Sequence, residues 1–162
     1  MSKTNERTNA GAIWVVILMM LVLLPASCKA ADLWLDTMVT SYHSNHNANY
    51  NQQNPGIGVE YAPAASDVAY GAMVYENSYK RTAVLAAATY TPIHVFGLKA
   101  GGVLGIVSGY PEYNYHFGPV ATGVVKYEGE KYGVNLIVLP PSPLKNHPGS
   151  TWMYSAQFKI KF

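Results

Sequence analysis

The stretch that decides the fold is TWMYSAQFKIKF, residues 151–162. Trp152, Tyr154, Ala156, Phe158, Ile160 and Phe162 fall on one face, and Met153, Ser155, Gln157, Lys159 and Lys161 on the other. Side chains of a strand alternate between its faces, so strict period-2 alternation predicts a strand with one apolar side. A soluble sandwich would show the same alternation, so this strand alone does not choose between architectures.

Seven more strand-like runs precede it, at 35–43, 56–62, 68–76, 82–91, 96–108, 120–127 and 132–139. Turn residues separate them: 63–67, Thr91-Pro92, Glu128-Gly129-Glu130-Lys131, and the Pro/Asn/Gly stretch 140–150. Eight is an even number, as single-chain bacterial barrels have. No helix of 3.6-residue period, internal repeat or second domain is read in residues 31–162. If strand 1 runs outward, the outer connections are 44–55, 77–81, 109–118 and 140–150, and the inner ones 63–67, 92–95 and 128–131. Three long outer loops against short inner turns is the asymmetry of an outer-membrane barrel.

Composition agrees. Only 12% of residues are charged, while thirteen Tyr and three Trp are present. Soluble domains average roughly a quarter charged residues. After residue 30 there is no apolar run of the ~20 residues a membrane helix needs, so a bilayer would have to be crossed by strands. The competing fold, a soluble eight-stranded barrel of the lipocalin type, needs a more charged exterior than this chain supplies.

The first thirty residues read as an export signal. Lys3 and Arg7 precede an unbroken apolar run, 12–24, and small residues follow up to Ala30. That run is short for a membrane helix and suits a signal peptide. The expected organisation is a signal peptide over 1–30 and a barrel over 31–162. Cys28 is the sole cysteine, so no intrachain disulfide forms. The Leu-Pro-Ala-Ser-Cys ending there resembles a lipoprotein processing site with Pro25 in place of the expected aliphatic residue; removal with the leader is the expectation. Without residues 1–30 the formal charge falls from +2 to 0. A neutral chain gives no reason to expect nucleic acid as a partner.

The strand count places chemistry at one rim. His43 ends strand 1 and His46 follows; strand 3 ends at Glu76-Asn77-Ser78 on the same rim, two strands away. Histidine is the usual base that activates a serine hydroxyl. Tyr113, Tyr115 and His116, in the third outer loop, can overhang the rim. Set against this, Asn77 and Ser78 are common turn residues. No carboxylate or Cys accompanies His43 and His46, so no metal and no cofactor are expected. Small residues on strands 4 and 5 either leave interior space or ease curvature. Val, Leu and Ile on both faces suggest a partly apolar lumen that would accept one acyl chain. Taking Gly129-Glu130 as the centre of the hairpin between strands 6 and 7 puts Pro119 opposite Pro140. Neither proline can donate a ladder hydrogen bond, so that seam should open near the outer rim.

These residues resemble a known family, the PagP-like lipid A palmitoyltransferases of the outer membrane. TSYH at 40–43, YNQQNPG at 50–56 and AMVYENSY at 72–79 look like its strand 1, the loop before its strand 2 and its site-bearing strand 3. Pro119, Pro140 and the closing strand 152–162 extend the similarity over most of the chain after residue 30. The resemblance implies an eight-stranded outer-membrane barrel, a monomer, that moves an acyl chain from a phospholipid to lipid A. It implies His43 as base, Ser78 as hydroxyl, and Pro119 and Pro140 flanking a lateral lipid gate. Two features depart from it. Asn77 stands where the family has Asp, and the amphipathic helix ahead of the family's first strand is missing. A barrel without catalysis, serving as a structural or surface-interaction protein through its long loops, is the alternative.

Overall fold

The computed structural model describes residues 31–45, 49–141 and 151–162. The expected signal peptide, Cys28, His46 and most of the fourth outer loop lie outside the described residues. The described chain is all-β: β1 (Ala31–His43), β2 (Gln53–Pro63), β3 (Val68–Glu76), β4 (Thr82–Val95), β5 (Leu98–Val107), β6 (Gly118–Glu128), β7 (Tyr132–Leu139) and β8 (Met153–Lys161). Neighbours pair antiparallel in chain order, and β8 returns to β1 to close the barrel. Closure leaves no free edge over most of the wall. The long connections gather at one end and the short turns at the other.

The wall is apolar outside and largely polar inside. On β8, Tyr154, Phe158 and Ile160 are exposed while Ser155, Gln157 and Lys159 are buried. Ile57, Tyr70, Tyr90, Leu104, Tyr127 and Leu136 continue the exposed belt around the barrel. Inside, Glu60 accepts from Lys126 at 2.7 Å and from Lys159 at 2.5 Å, and Glu128 accepts from Lys126, Lys159 and Lys99 at 2.7–2.9 Å. Trp34 lies buried with the Lys159 ammonium 4.6 Å from its ring centroid. An exterior of this kind is the pattern of barrels that face lipid.

The expected apolar lumen is found in one half only. Met73, Tyr75, Ala83 and Val107 pack together toward the long-loop end, and the ionic cluster fills the short-turn end. Between them lies a cavity of about 50 Å3 lined by Asp36, Met73, Val124 and Asn135, among others. Such a space holds a few waters and no acyl chain. Two of the small residues serve close strand approach, since a Cβ on Gly101 or Gly105 would collide with the carbonyl oxygen of Tyr90 or Ala86, while Ala87 lines the cavity.

Two bulges set which side chains point inward. In β1, Met38 pairs with Gln157 and Thr40 with Ala156, so Val39 is the extra residue. Before it, Trp34 and Asp36 are buried; after it, Ser41 and His43 are. Without the bulge, period-2 alternation would turn His43 outward. In β4, Tyr90 pairs with Gly102 and Ile93 with Ala100. Strand 4 therefore runs through Pro92, which sits in the bulge where no ladder donor is needed. The expected turn at 92–95 is corrected to Phe96-Gly97, two residues with φ 50° and 79°, the left-handed pair that a tight hairpin requires.

The expected register of β6 and β7 is also corrected. Glu128 pairs with Gly133 and Gly123 with Val138, so the turn is centred on Glu130-Lys131 rather than Gly129-Glu130. The Gly129 N–H closes it on the Tyr132 carbonyl at 2.9 Å. Continued outward, this register brings Ala121, not Pro119, level with Pro140. The ladder stops at Gly123 and Val138, and residues 118–122 of β6 pair with β5 alone. The seam is open at the long-loop end, ahead of both prolines.

Candidate active site

The site begins with the connection between β3 and β4. Asn77 is fully buried and organises it. Its Oδ1 accepts from the Tyr79 N–H at 2.9 Å and the Arg81 N–H at 3.1 Å. Its Nδ2 donates to the Gly109 carbonyl at 2.8 Å, tying this loop to the one after β5. Side-chain capping of the next backbone amides is what Asn does in tight turns. The donor arm is what excludes Asp: a carboxylate there would face the Gly109 oxygen without a proton to share.

So held, the loop presents Ser78. Its carbonyl accepts from the Asn51 N–H at 2.9 Å, and its Oγ lies 2.9 Å from His43 Nε2. His43 arrives from β1 through the bulge at Val39 and is buried. Its ring rests against Tyr50, with centroids 4.7 Å apart. Tyr50 meets Tyr79 edge-on, Tyr79 meets Tyr110 edge-on, and the Tyr110 and Tyr75 hydroxyls are 3.0 Å apart. Tyr79 donates to Glu112 at 3.0 Å. Burial pushes the Tyr79 and Tyr110 phenols above their ordinary pKa, so both remain neutral donors.

The dyad has the pairing that serine activation needs. Among the described residues it has no third group. His43 Nδ1 is buried without a hydrogen-bond partner among the described residues. Glu76, adjacent to Asn77, points outward and accepts from Asn51 Nδ2 at 2.8 Å. With Nε2 accepting from Ser78, the proton belongs on Nδ1, and packing against Tyr50 rather than a carboxylate fixes the ring plane.

Of the other expected rim residues, Tyr113 packs within its own loop and against the apolar cluster of Met73 and Tyr75. It lies in a 3-10 turn, Pro111–Tyr113, with its ring over Gly118 and its hydroxyl donating to the Pro119 carbonyl at 2.5 Å. Tyr115 carries the Arg81 guanidinium 4.1 Å from its ring centroid. His116 is exposed and contributes its backbone N–H to the Tyr113 carbonyl. Pro119 and Pro140 are exposed on either side of the open seam. The structure thus brings His43 and Ser78 together, gives Asn77 a framework role, and leaves Tyr115 and His116 outside the pair. Sequence reasoning missed Tyr50 and Tyr79 as the aromatic packing of the dyad, although the abundance of tyrosine was a signal.

No protein-family model matches the chain, and no curated protein matches it.

Proposed function

We propose that this chain is an exported outer-membrane barrel of the PagP-like kind that transfers an acyl chain from a phospholipid to lipid A. The observation that carries the reading is the 2.9 Å contact between His43 Nε2 and Ser78 Oγ at the rim of a barrel with an apolar exterior. His43 takes the Ser78 proton as Oγ attacks the donor ester carbonyl. The bond to the glycerol oxygen breaks, and the lysophospholipid leaves with the proton from His43. A lipid A hydroxyl then gives its proton to His43 as it attacks the acyl-serine carbonyl; the bond to Ser78 Oγ breaks, and Oγ takes that proton back from His43. The open seam beside Pro119 and Pro140 offers a lateral path from the bilayer, and the acyl chain needs Met73 and its neighbours to move aside, because the cavity beneath is about 50 Å3.

Two observations favour a second reading, a barrel without catalysis that acts through its surface. Asn77 is committed to the loop, leaving His43 without a carboxylate partner among the described residues, and the lumen holds a cavity of only about 50 Å3. Purified barrel in mixed micelles with a phospholipid donor and lipid A separates the two. Acyl transfer yields lysophospholipid and over-acylated lipid A in equal amounts, and a general base and nucleophile are worth on the order of 100-fold or more in rate. Turnover that survives Ser78→Ala or His43→Ala rejects their roles; no turnover by a folded barrel favours the second reading.

A further inference from the structure

At the short-turn end one hairpin departs from its neighbours. The β2–β3 turn, residues 64–67, is built of small and polar side chains, and the β6–β7 turn is Glu130-Lys131. The β4–β5 turn instead carries Phe96, 101% exposed, at a φ of 50° that a bulky side chain rarely adopts. Among the described residues no contact covers the Phe96 ring to repay this conformation. The apolar and polar faces stay separate down to that tip. Ile93, Val95 and Leu98 are exposed on the outward side, continuing the belt below Tyr90. The inward side carries His94, paired with Asp67 at 2.9 Å, and Lys99, paired with Glu128 at 2.8 Å. The bulge at Thr91-Pro92 produces this division, since unbroken alternation from Tyr90 would turn His94 outward and Ile93 and Val95 inward.

We propose that the tip of the β4–β5 hairpin is a foot that docks into the lipid of the leaflet at the short-turn end, burying Phe96, Val95 and Ile93 among headgroups and upper acyl chains. The partner is lipid because the patch is continuous with the outward belt and its charged side chains are turned to the lumen. The inference rests on the belt facing lipid and is independent of catalysis. It is tested in full chain carrying Cys28→Ser, which removes the sole cysteine. Environment-sensitive NBD is attached at Phe96→Cys, with Val95→Cys as a second tip position. Leu136→Cys serves as the belt reference and Ala64→Cys as the aqueous reference. In phosphatidylethanolamine/phosphatidylglycerol liposomes, the tip labels should emit as blue-shifted as Leu136→Cys and be quenched by nitroxide lipids, not by aqueous iodide. Tip labels that behave like Ala64→Cys overturn the foot. A water-exposed Leu136→Cys label overturns the belt and the foot together. Water exposure in liposomes with protection only in whole cells overturns it in favour of a protein partner.

Discussion

Asn77 holds the β3–β4 connection through both ends of its amide, and that commitment shapes the chemistry beside it. Replacing it by Ala would strand two buried or half-buried N–H groups and the Gly109 carbonyl, a cost of about 2–4 kcal/mol, read as lowered urea resistance of the refolded barrel in detergent. Asn77→Asp keeps the two acceptor contacts and loses the donor, so it should destabilise by about 1–3 kcal/mol and leave acyl transfer no faster. A gain in rate would mean that the carboxylate reaches His43 and that the loop geometry argued for is wrong. The His43–Ser78 pair was legible in the sequence, because strand counting sent both to one rim and the family resemblance singled them out. The framework role of Asn77 was not, because its deciding partner is Gly109, on a loop two strands later.

Strand existence was legible in the alternation of apolar residues; strand register was not. Bulges decide it, and a bulge inserts a residue without changing composition. Val39 is the case that matters most, since it turns His43 into the barrel. Deleting Val39 should leave a barrel that still shifts on heating in gels but has no acyl transfer; retained transfer would show that His43 is placed by something else. The bulge at Thr91-Pro92 explains why a proline that looked like a strand terminator lies inside β4. Gly101 packs against it, where a Cβ would collide with the Tyr90 carbonyl oxygen. Gly101→Ala should therefore cost about 1–3 kcal/mol in the same unfolding assay. The β6–β7 register failed for a smaller reason, a turn centre misplaced by one residue, which moved every pair by two. The open seam survives that correction because it follows from where the ladder ends.

As a whole, the molecule is inside-out, with an aromatic and aliphatic belt outside and paired charges within. The belt was legible from the last strand and from scarce charge. The ionic cluster was not, because Glu60, Lys126, Glu128 and Lys159 come from three strands whose registers had to be known first. Lys159 is fully buried between Glu60 and Glu128. Lys159→Met leaves both carboxylates underpaired and should destabilise the barrel by about 3–5 kcal/mol; pairing it with Glu60→Gln should restore part of that, and additive losses would argue against direct coupling. Acylation of lipid A through His43 and Ser78 is the activity proposed for this barrel. Its most direct test is mass spectrometry of lipid A from cells expressing the parent chain or Ser78→Ala at equal outer-membrane levels. One added acyl chain with the parent, absent with Ser78→Ala, is the predicted result; identical lipid A from both would contradict it.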